Sequence, residues 1–265
     1  MKKLIAMLLA VAMLAALCVG CAAPADKAKT DSELVQERGK LIVGVTVFEP
    51  MDYQDKDGNW KGFDADLAKA FAEELGVEAE FVIISWPNKV NELNDKNIDL
   101  VWNGMTLTDE VKAAMSCSNP YLNNAQVVVM KSSKAANYTT KESLAGLKFA
   151  AEKGSAGADQ AMLIDPETNL VKTQAAALME VSADTSDATV IDLLMANAMI
   201  GEGTAYPDLT DTVELTTEQY GIGLRKGSDL LDDLNAFLKK AYDDGTMETL
   251  ANTYKIRPEK IVEQK

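Results

Sequence analysis

Apolar stretches rich in β-branched residues alternate along this chain with segments whose apolar residues recur at helical spacing. KLIVGVTV at 40–47 and EAEFVII at 78–84 have the composition of strands, whereas GFDADLAKAFAEELG at 62–76 has the spacing of a helix. The alternation continues to the C terminus, where a strand, a long amphipathic helix, a glycine turn and a last helix are predicted. This order favours a largely parallel sheet with helices on both faces, and therefore an α/β protein.

Two such α/β units, with strand-like segments between them, indicate two lobes and a cleft. The second unit contains predicted strands at 125–131 and 147–152 and short predicted strands at 177–182 and 188–191. In open α/β sheets, ligands bind beyond the carboxyl ends of the strands, where the chain leaves a strand for a loop. Five such exit loops are candidates for the walls of a binding site: VTVFEPMDY (45–53), IISWPNK (83–89), VWNGMTLT (101–108), AAEKGSAG (150–157) and TVIDLLMAN (189–197).

The charge of the chain narrows the classes of function. Its 265 residues include 26 basic and 41 acidic side chains and no histidine, which gives a formal net charge of −15. A chain this acidic repels nucleic acid and anionic membrane surfaces, so we expect neither as a binding partner. The absence of histidine excludes histidine-based acid–base chemistry and histidine metal ligation. We predict no metal and no cofactor, and the sequence has no GxSxG motif of a hydrolase.

The first twenty residues have the features of an export signal. A short basic region is followed by an apolar run at 4–17, which is too short for a comfortable transmembrane helix. Small residues precede Cys21 and a polar segment follows it, so this region resembles a bacterial lipoprotein signal in which Cys21 becomes the lipidated N terminus. Cys18 occupies a position that is usually aliphatic, and an ordinary cleaved signal is the alternative. We expect a signal peptide over 1–20, a tether over 21–32 and an extracytoplasmic protein anchored to the cell membrane through its lipid.

Four stretches of the chain carry a resemblance to a known family. They are GFDADLAKAFAEELGV (62–77), WNGMTLTDE (102–110), SNPYLNNAQVVV (118–129) and GIGLRKGSDLLDDLN (221–235). Each stretch alone is a weak signal, but their order and spacing together are specific. They resemble the family 3 extracellular solute-binding proteins, which deliver polar amino acids to ABC importers, over roughly residues 33–256.

The resemblance implies a fold and a way of working. The fold is the two-lobe periplasmic-binding-protein-like fold, with a hinge between two α/β lobes. Carried onto this chain, lobe 1 comprises residues 33–129 and 222–260, and lobe 2 comprises residues 130–221. The resemblance also implies a monomer that binds a small molecule, expected to be a polar amino acid, and delivers it to an ABC permease in the membrane. Such a protein is not an enzyme.

The resemblance further implies which residues contact the ligand. Two rings cover the ligand, the third exit loop contacts it with Thr106 as a hydroxyl donor, and a glycine-rich turn presents N–H groups at a helix start to a carboxylate. Asp192 matches the acid that binds the α-amino group, and Glu152 lies near positions that line the side-chain pocket. The implied ligand-binding residues are Phe48, Trp86, Asn103, Gly104 and Thr106 in lobe 1 and Glu152, Ser155, Ala156 and Asp192 in lobe 2.

One position departs from the pattern of the family. GMTLTDEVKAAM at 104–115 places N–H and hydroxyl groups at a helix start, where anions are favoured. The family usually has arginine at the position of Val111, where it pairs with the ligand's carboxylate, and valine cannot form that bond. Three interpretations follow. Backbone N–H groups and hydroxyls hold the carboxylate alone, another cation such as Lys153 reaches it, or the ligand has no carboxylate.

The sequence is also compatible with other functions. Glu152 and Glu49 would favour a cationic ligand, so a polyamine or another cationic amine is an alternative to an amino acid. A ligand-sensing protein that acts through a separate signalling partner is a second alternative. Some proteins of this fold are dehydratases, in which a carboxyl group in the cleft serves as an acid, and Glu152 or Asp192 offers one.

Overall fold

A computed structural model describes residues 28–265, and Asp31–Lys265 form a compact unit. The predicted signal peptide at 1–20 and the predicted lipidation of Cys21 lie outside the described residues. The helices are α1 (Asp31–Arg38), α2 (Phe63–Glu74), α3 (Lys89–Asn94), α4 (Asp109–Ala114), α5 (Ser132–Ala135), α6 (Ala156–Ile164), α7 (Gln174–Ser182), α8 (Leu193–Met199), α9 (Leu230–Asp243) and α10 (Thr246–Thr253). The strands are β1 (Lys40–Val45), β2 (Tyr53–Gln54), β3 (Trp60–Lys61), β4 (Glu78–Ile83), β5 (Leu100–Thr106), β6 (Ser116–Cys117), β7 (Leu122–Lys131), β8 (Phe149–Glu152), β9 (Asn169–Val171), β10 (Ala188–Asp192) and β11 (Leu209–Leu224). No helix within residues 28–265 is long and apolar enough to cross a bilayer.

A nine-stranded mixed sheet forms the centre of this unit. Its order is β4-β1-β5-β11-β7-β10-β8-β9, with β6 paired to β11. β1 runs parallel to β4 and β5, and β8 runs parallel to β9 and β10. Between these two parallel groups lie the long strands β7 and β11, which are antiparallel to each other and to the strands on either side. The parallel strands within each group need crossover connections, which the helices supply.

Apolar clusters cover both parallel groups. The larger cluster packs β1 and β5 against α2 and α9 and includes Phe71, Leu100 and Trp102. A second cluster packs β8 and β10 against α6 and includes Phe149 and Val190. The larger cluster also continues to side chains of α7 and α8. This arrangement agrees with the predicted two α/β units, whereas the residue limits of the two lobes stay a prediction.

One predicted strand is wrong. Residues 177–182 belong to helix α7, because Thr173 caps the helix by accepting a hydrogen bond from the Ala176 N–H at 3.1 Å and the buried residues of the segment recur at helical spacing. A six-residue apolar run does not by itself distinguish a strand from a buried helix. At the N terminus, helix α1 begins at Asp31, within the predicted tether.

Arg225, which follows β11, connects several parts of the chain. Its side chain is buried, and its Nε donates to Asp31 Oδ1 at 2.8 Å. Its Nη1 donates to the carbonyl oxygens of Leu93 and Ile98 at 2.8 and 2.6 Å, and its Nη2 lies 3.4 Å from Asp99 Oδ1. The guanidinium therefore satisfies buried acceptors from three parts of the chain at once.

Replacing Arg225 by methionine is expected to lower the free energy of unfolding by about 3–5 kcal/mol, because it leaves buried acceptors and a buried carboxylate without their partner. Urea unfolding of both proteins measures the difference. Arg257→Met is the matched control, since Arg257 pairs with Glu259 at 3.5 Å on the exposed surface and its loss should change stability by about 0.5 kcal/mol or less. Equal effects of the two substitutions would contradict this account.

Candidate ligand-binding site

A cavity of about 220 Å³ lies where β1, β5, β8 and β10 end, and all five predicted exit loops contribute to its wall. The carboxyl ends of parallel strands meet at the same edge of a sheet, so side chains distant in sequence come together there. The structure brings all nine residues implied by the resemblance to this cavity, although their roles toward a ligand stay a prediction. They are Phe48, Trp86, Asn103, Gly104, Thr106, Glu152, Ser155, Ala156 and Asp192.

Asp192, the last residue of β10, is held by side-chain donors from three other elements. Its Oδ1 accepts hydrogen bonds from Asn124 Nδ2 at 2.6 Å, Tyr220 OH at 2.6 Å and Gln126 Nε2 at 3.1 Å. Gln174 Nε2 donates to its Oδ2, and the Asp192 N–H donates to Gln174 Oε1 at 2.9 Å. Only 4% of Asp192 is exposed, and it lines the cavity. These bonds hold the carboxyl group in one orientation.

A second acid, Glu218 on β11, shares two of these donors. Its Oε1 accepts from Asn124 Nδ2 at 2.7 Å, Gln126 Nε2 at 2.8 Å and the Thr106 hydroxyl at 2.9 Å. Burial and then the charge of Glu218 raise the pKa of Asp192 well above its usual range. A cation in the cavity would therefore favour the ionised form of Asp192. The Thr106 hydroxyl, which is predicted to be a donor to the ligand, donates to Glu218 in this structure.

The Asn103 side chain, in the middle of β5, holds the first exit loop. Its Oδ1 accepts from the Thr46 N–H at 2.9 Å and from the Thr46 hydroxyl at 2.8 Å. Its Nδ2 donates to Thr46 O at 3.0 Å and to Asp52 Oδ2 at 2.7 Å. Since the amide has these four partners, its main effect is to position the loop that carries Phe48.

At Gly104 the backbone of β5 lies close to an aromatic ring of the cavity. Its φ is +54°, and a Cβ there would lie 2.5 Å from Phe48 Cε1 and 3.2 Å from Tyr220 Cε2. Phe48 in turn meets Tyr220 edge-on, with ring centroids 6.4 Å apart. The Gly104 N–H donates to Asp64 Oδ2 at 2.7 Å, and burial raises the pKa of Asp64 to about 7. Glycine is therefore required here both by φ and by the ring.

Helix α6 begins at the cavity. Ser155 is its N-cap and accepts a hydrogen bond from the Ala158 N–H at 3.0 Å. The N–H groups of the first turn, which starts at Ala156, have no acceptor within the helix, and the helix dipole is positive at this end. Gly157 allows close packing, because a Cβ there would lie 2.6 Å from the carbonyl oxygen of Val190. This helix start can hold an anion.

Glu152 is an unusual acid in the wall of the cavity. Only 4% of it is exposed, and its Oε1 has no hydrogen-bond partner among the described residues. Burial raises the pKa of Glu152 to about 8, against the attraction of Lys89. Glu49, which was expected to join it, is exposed and lines a different surface cavity. Lys153, proposed as a substitute cation, is exposed and does not line the cavity.

Several cavity residues were missed by the sequence analysis. Gln174 and Lys89 line the cavity. Asn124, Gln126 and Tyr220 donate hydrogen bonds to Asp192 but do not line the cavity themselves. The polar residues 124 and 126 of the strand LNNAQVVVMK were the available signal, since alternate residues share a face. No local sequence pattern marks Gln174, Lys89 or Tyr220.

Val111 faces the same cavity. It lines the wall and packs against an apolar cluster that contains Trp86, Met105 and Met115. The position at which the family usually has arginine is therefore apolar here and lies at the cavity.

Residues 41–256 match the family of bacterial extracellular solute-binding proteins, family 3, and the chain belongs to this family. The predicted family and the predicted two-lobe α/β fold are both confirmed.

Individual relatives include both binding proteins and an enzyme. The arginine-binding extracellular protein ArtP of Bacillus subtilis is 31% identical over 221 residues, which cover 80% of this chain and 84% of the relative. The crystal structure of an ABC uptake transporter substrate-binding protein from Streptococcus pneumoniae with bound histidine has a TM-score of 0.77 and 31% identity, and the match covers 86% of this chain and 97% of that one. Cyclohexadienyl dehydratase of Pseudomonas aeruginosa is 30% identical over 130 residues, 48% of each chain.

Proposed function

We propose that this protein binds a polar amino acid in the cavity and delivers it to the permease of an ABC importer. The observation that carries the proposal is the buried Asp192 at one cavity with the start of helix α6. A carboxyl group and a helix N-terminus are complementary to the ammonium and the carboxylate of an amino acid. The binding-protein relatives along most of the chain support this choice.

In the proposed complex, each group of the amino acid has a partner. Asp192 binds the ammonium, and the first-turn N–H groups of α6 bind the carboxylate. Phe48 and Trp86 cover the ligand, since an aromatic face attracts cations and apolar stems. Because the contacts come from both predicted lobes, the closed form binds better than the open form, and this difference in affinity drives closure. Lipidated Cys21 anchors the protein outside the cell membrane, beside the permease.

Glu152 suggests the class of amino acid. A buried carboxyl group with an unused oxygen is satisfied by a donor or a cation, so a side chain that carries N–H groups fits it. Two of the related proteins bind arginine and histidine, whose side chains carry such groups. We therefore propose an amino acid with a donor-bearing or cationic side chain.

The test is a thermal-shift screen of the purified protein with each of the twenty L-amino acids and with putrescine and spermidine. A ligand of the folded state at a hundred times its Kd adds roughly 2.7 kcal/mol of stability and raises Tm. We expect a rise with one or a few amino acids and none with the two polyamines. A rise with the polyamines alone would replace the amino acid by a carboxylate-free cation as the ligand.

Glu152 predicts a dependence of stability on pH. Its folded-state pKa of about 8 lies above the unfolded value of 4.5, so the folded protein binds more protons between these values, and its stability falls as the pH rises through this window. Glu152→Gln removes the ionisable group and therefore this loss of stability at high pH. We expect the variant to melt several degrees higher than wild type at pH 8.5 in the absence of ligand and to differ little at pH 5. Glu49→Gln, at an exposed site, should show no such difference, and a pH-independent effect of Glu152→Gln would contradict the assignment.

A dehydratase is the second candidate function. The protonated Glu152 at the cavity could act as an acid, and a partial relative is an enzyme of that kind. The two functions differ in the fate of the ligand, which a binding protein releases unchanged and an enzyme converts. We favour binding, because the relatives matched over most of the chain are binding proteins.

A further inference from the structure

Lys89, the first residue of α3, places its ammonium group at the wall of the cavity. Its Nζ lies 4.6 Å from the centre of the Trp86 ring and 3.3 Å from the Trp86 carbonyl oxygen. It also donates to the Gly154 carbonyl oxygen at 3.4 Å. Gly154 directly precedes the N-cap of helix α6, Ser155, so the ammonium group lies beside the helix start.

The charges around the cavity make Lys89 distinctive. Among the described residues that line the cavity, it is the only cation, whereas four of the lining residues are acids: Glu110, Glu152, Asp159 and Asp192. Lys89 forms no ion pair within 4.0 Å with any acid in residues 28–265, and both of its hydrogen bonds are long. A half-buried ammonium group with weak partners is stabilised when an anion reaches it.

The same cavity lacks a cation at position 111. Val111 lines the wall and packs against apolar side chains, so it offers an anion no charge. The first turn of α6 offers N–H groups but only the partial charge of a helix end. Lys89 donates to the carbonyl oxygen of Gly154, two residues before that turn, and lines the same cavity.

We propose that Lys89 is the cation that binds the carboxylate of the ligand, together with the first turn of helix α6. This inference rests on the proposed function, since it requires a ligand that carries a carboxylate. The positive charge that Val111 does not supply is thereby assigned to Lys89, on the second exit loop, in place of Lys153.

The electrostatic surroundings of Lys89 agree with this role. Burial lowers the pKa of Lys89, and the charges of Glu152, Glu110 and Asp159 oppose that effect. The Glu152 carboxyl is neutral below its pKa of about 8, so at neutral pH it does not repel a carboxylate. A bound carboxylate would offset the burial of the ammonium group, which long bonds to two carbonyl oxygens do only in part.

The test compares each amino acid with its α-carboxamide, which keeps the ammonium group and the side chain but has no carboxylate charge. Amino acids that raise Tm in a screen of the twenty L-amino acids are titrated calorimetrically, with their carboxamides, into wild type and Lys89→Met. A charge-assisted hydrogen bond is worth about 1.5–3 kcal/mol, so the variant should bind the acid about ten- to a hundredfold more weakly. Its affinity for the carboxamide should change by less than about threefold.

Lys153→Met is the matched control, because it removes the same charge from an exposed lysine near the cavity. We expect it to bind both compounds like wild type. Lys89→Gln, which keeps a polar end group, is the second variant and should show the same selective loss if Lys89→Met does not fold. Tm without ligand reports folding of each variant.

The outcomes separate this inference from the proposed function. If wild type binds no amino acid, both are overturned. If wild type binds an amino acid but Lys89→Met loses the acid and the carboxamide equally, or loses neither, only the inference is overturned. A selective loss in Lys153→Met would overturn it in favour of Lys153, and equal binding of acid and carboxamide by wild type would also overturn it.

Discussion

Asp192→Asn is expected to weaken the binding of an amino acid by at least about a hundredfold, the largest effect of any single change in the cavity. The substitution keeps the size of the side chain but removes its charge. The ammonium group of the ligand would then be buried without a counter-charge, and breaking a buried ion pair costs about 3–5 kcal/mol.

The surroundings of Asp192 make a replacement partner unavailable. Asn124, Gln126, Gln174 and Tyr220 donate to its carboxyl group, and Glu218, the acid that shares two of these donors, does not line the cavity. The asparagine would also place an NH₂ group among these donors. Some loss of stability without ligand is therefore expected as well.

Calorimetric titration with the amino acid that raises Tm of the wild type measures this effect. Asp211→Asn is the control, because it removes one negative charge from an exposed position on β11. The control should bind like wild type. Unchanged affinity in a folded Asp192→Asn protein would show that Asp192 does not bind the ammonium group.

Gly104→Ala is expected to lower both the stability of the protein and its affinity for ligand. The added Cβ would meet Phe48 Cε1 at 2.5 Å, so the ring must move at the wall of the cavity. Left-handed backbone costs a non-glycine residue roughly 1–2 kcal/mol, and overpacking adds about 1–3 kcal/mol. We expect a loss of about 2–5 kcal/mol in the free energy of unfolding and at least a tenfold loss of affinity.

Gly146→Ala separates the cost of left-handed backbone from the cost of the clash with Phe48. Its φ is +86°, and no atom lies within 4 Å of the added Cβ. It should therefore lose only the backbone contribution of about 1–2 kcal/mol and should keep wild-type affinity. If the two alanine variants behave alike in urea unfolding and in titration, Phe48 is not constrained by Gly104 as the structure indicates.

The walls of the cavity could be predicted from the sequence because they follow strand ends. The segments KLIVGVTV and EAEFVII are rich in strand-forming residues, and the carboxyl ends of such strands must meet at one edge of a parallel group. The loops after them carry Phe48 and Trp86 to the cavity. The resemblance to the family then identified single residues on each loop.

The hydrogen bonds that Asp192 and Glu218 accept could not be predicted in this way. Asn124 and Gln126 reach Glu218 because β7 pairs with β11 across more than ninety positions of sequence, and no local pattern encodes such a pairing. The pairing of β5 with β11 likewise brings the Thr106 hydroxyl to Glu218. Residues 177–182 are predicted as a strand but belong to a helix, because this short apolar run fits both periods.

Equilibrium dialysis tests the central claim most directly. The purified protein is dialysed against an equal mixture of the twenty L-amino acids, recovered and denatured, and the released compounds are identified by mass spectrometry. Retention of one or a few amino acids, chemically unchanged and up to one molecule per protein, is the result expected of a binding protein. Retention of none, or recovery of a converted product, would contradict the proposed function.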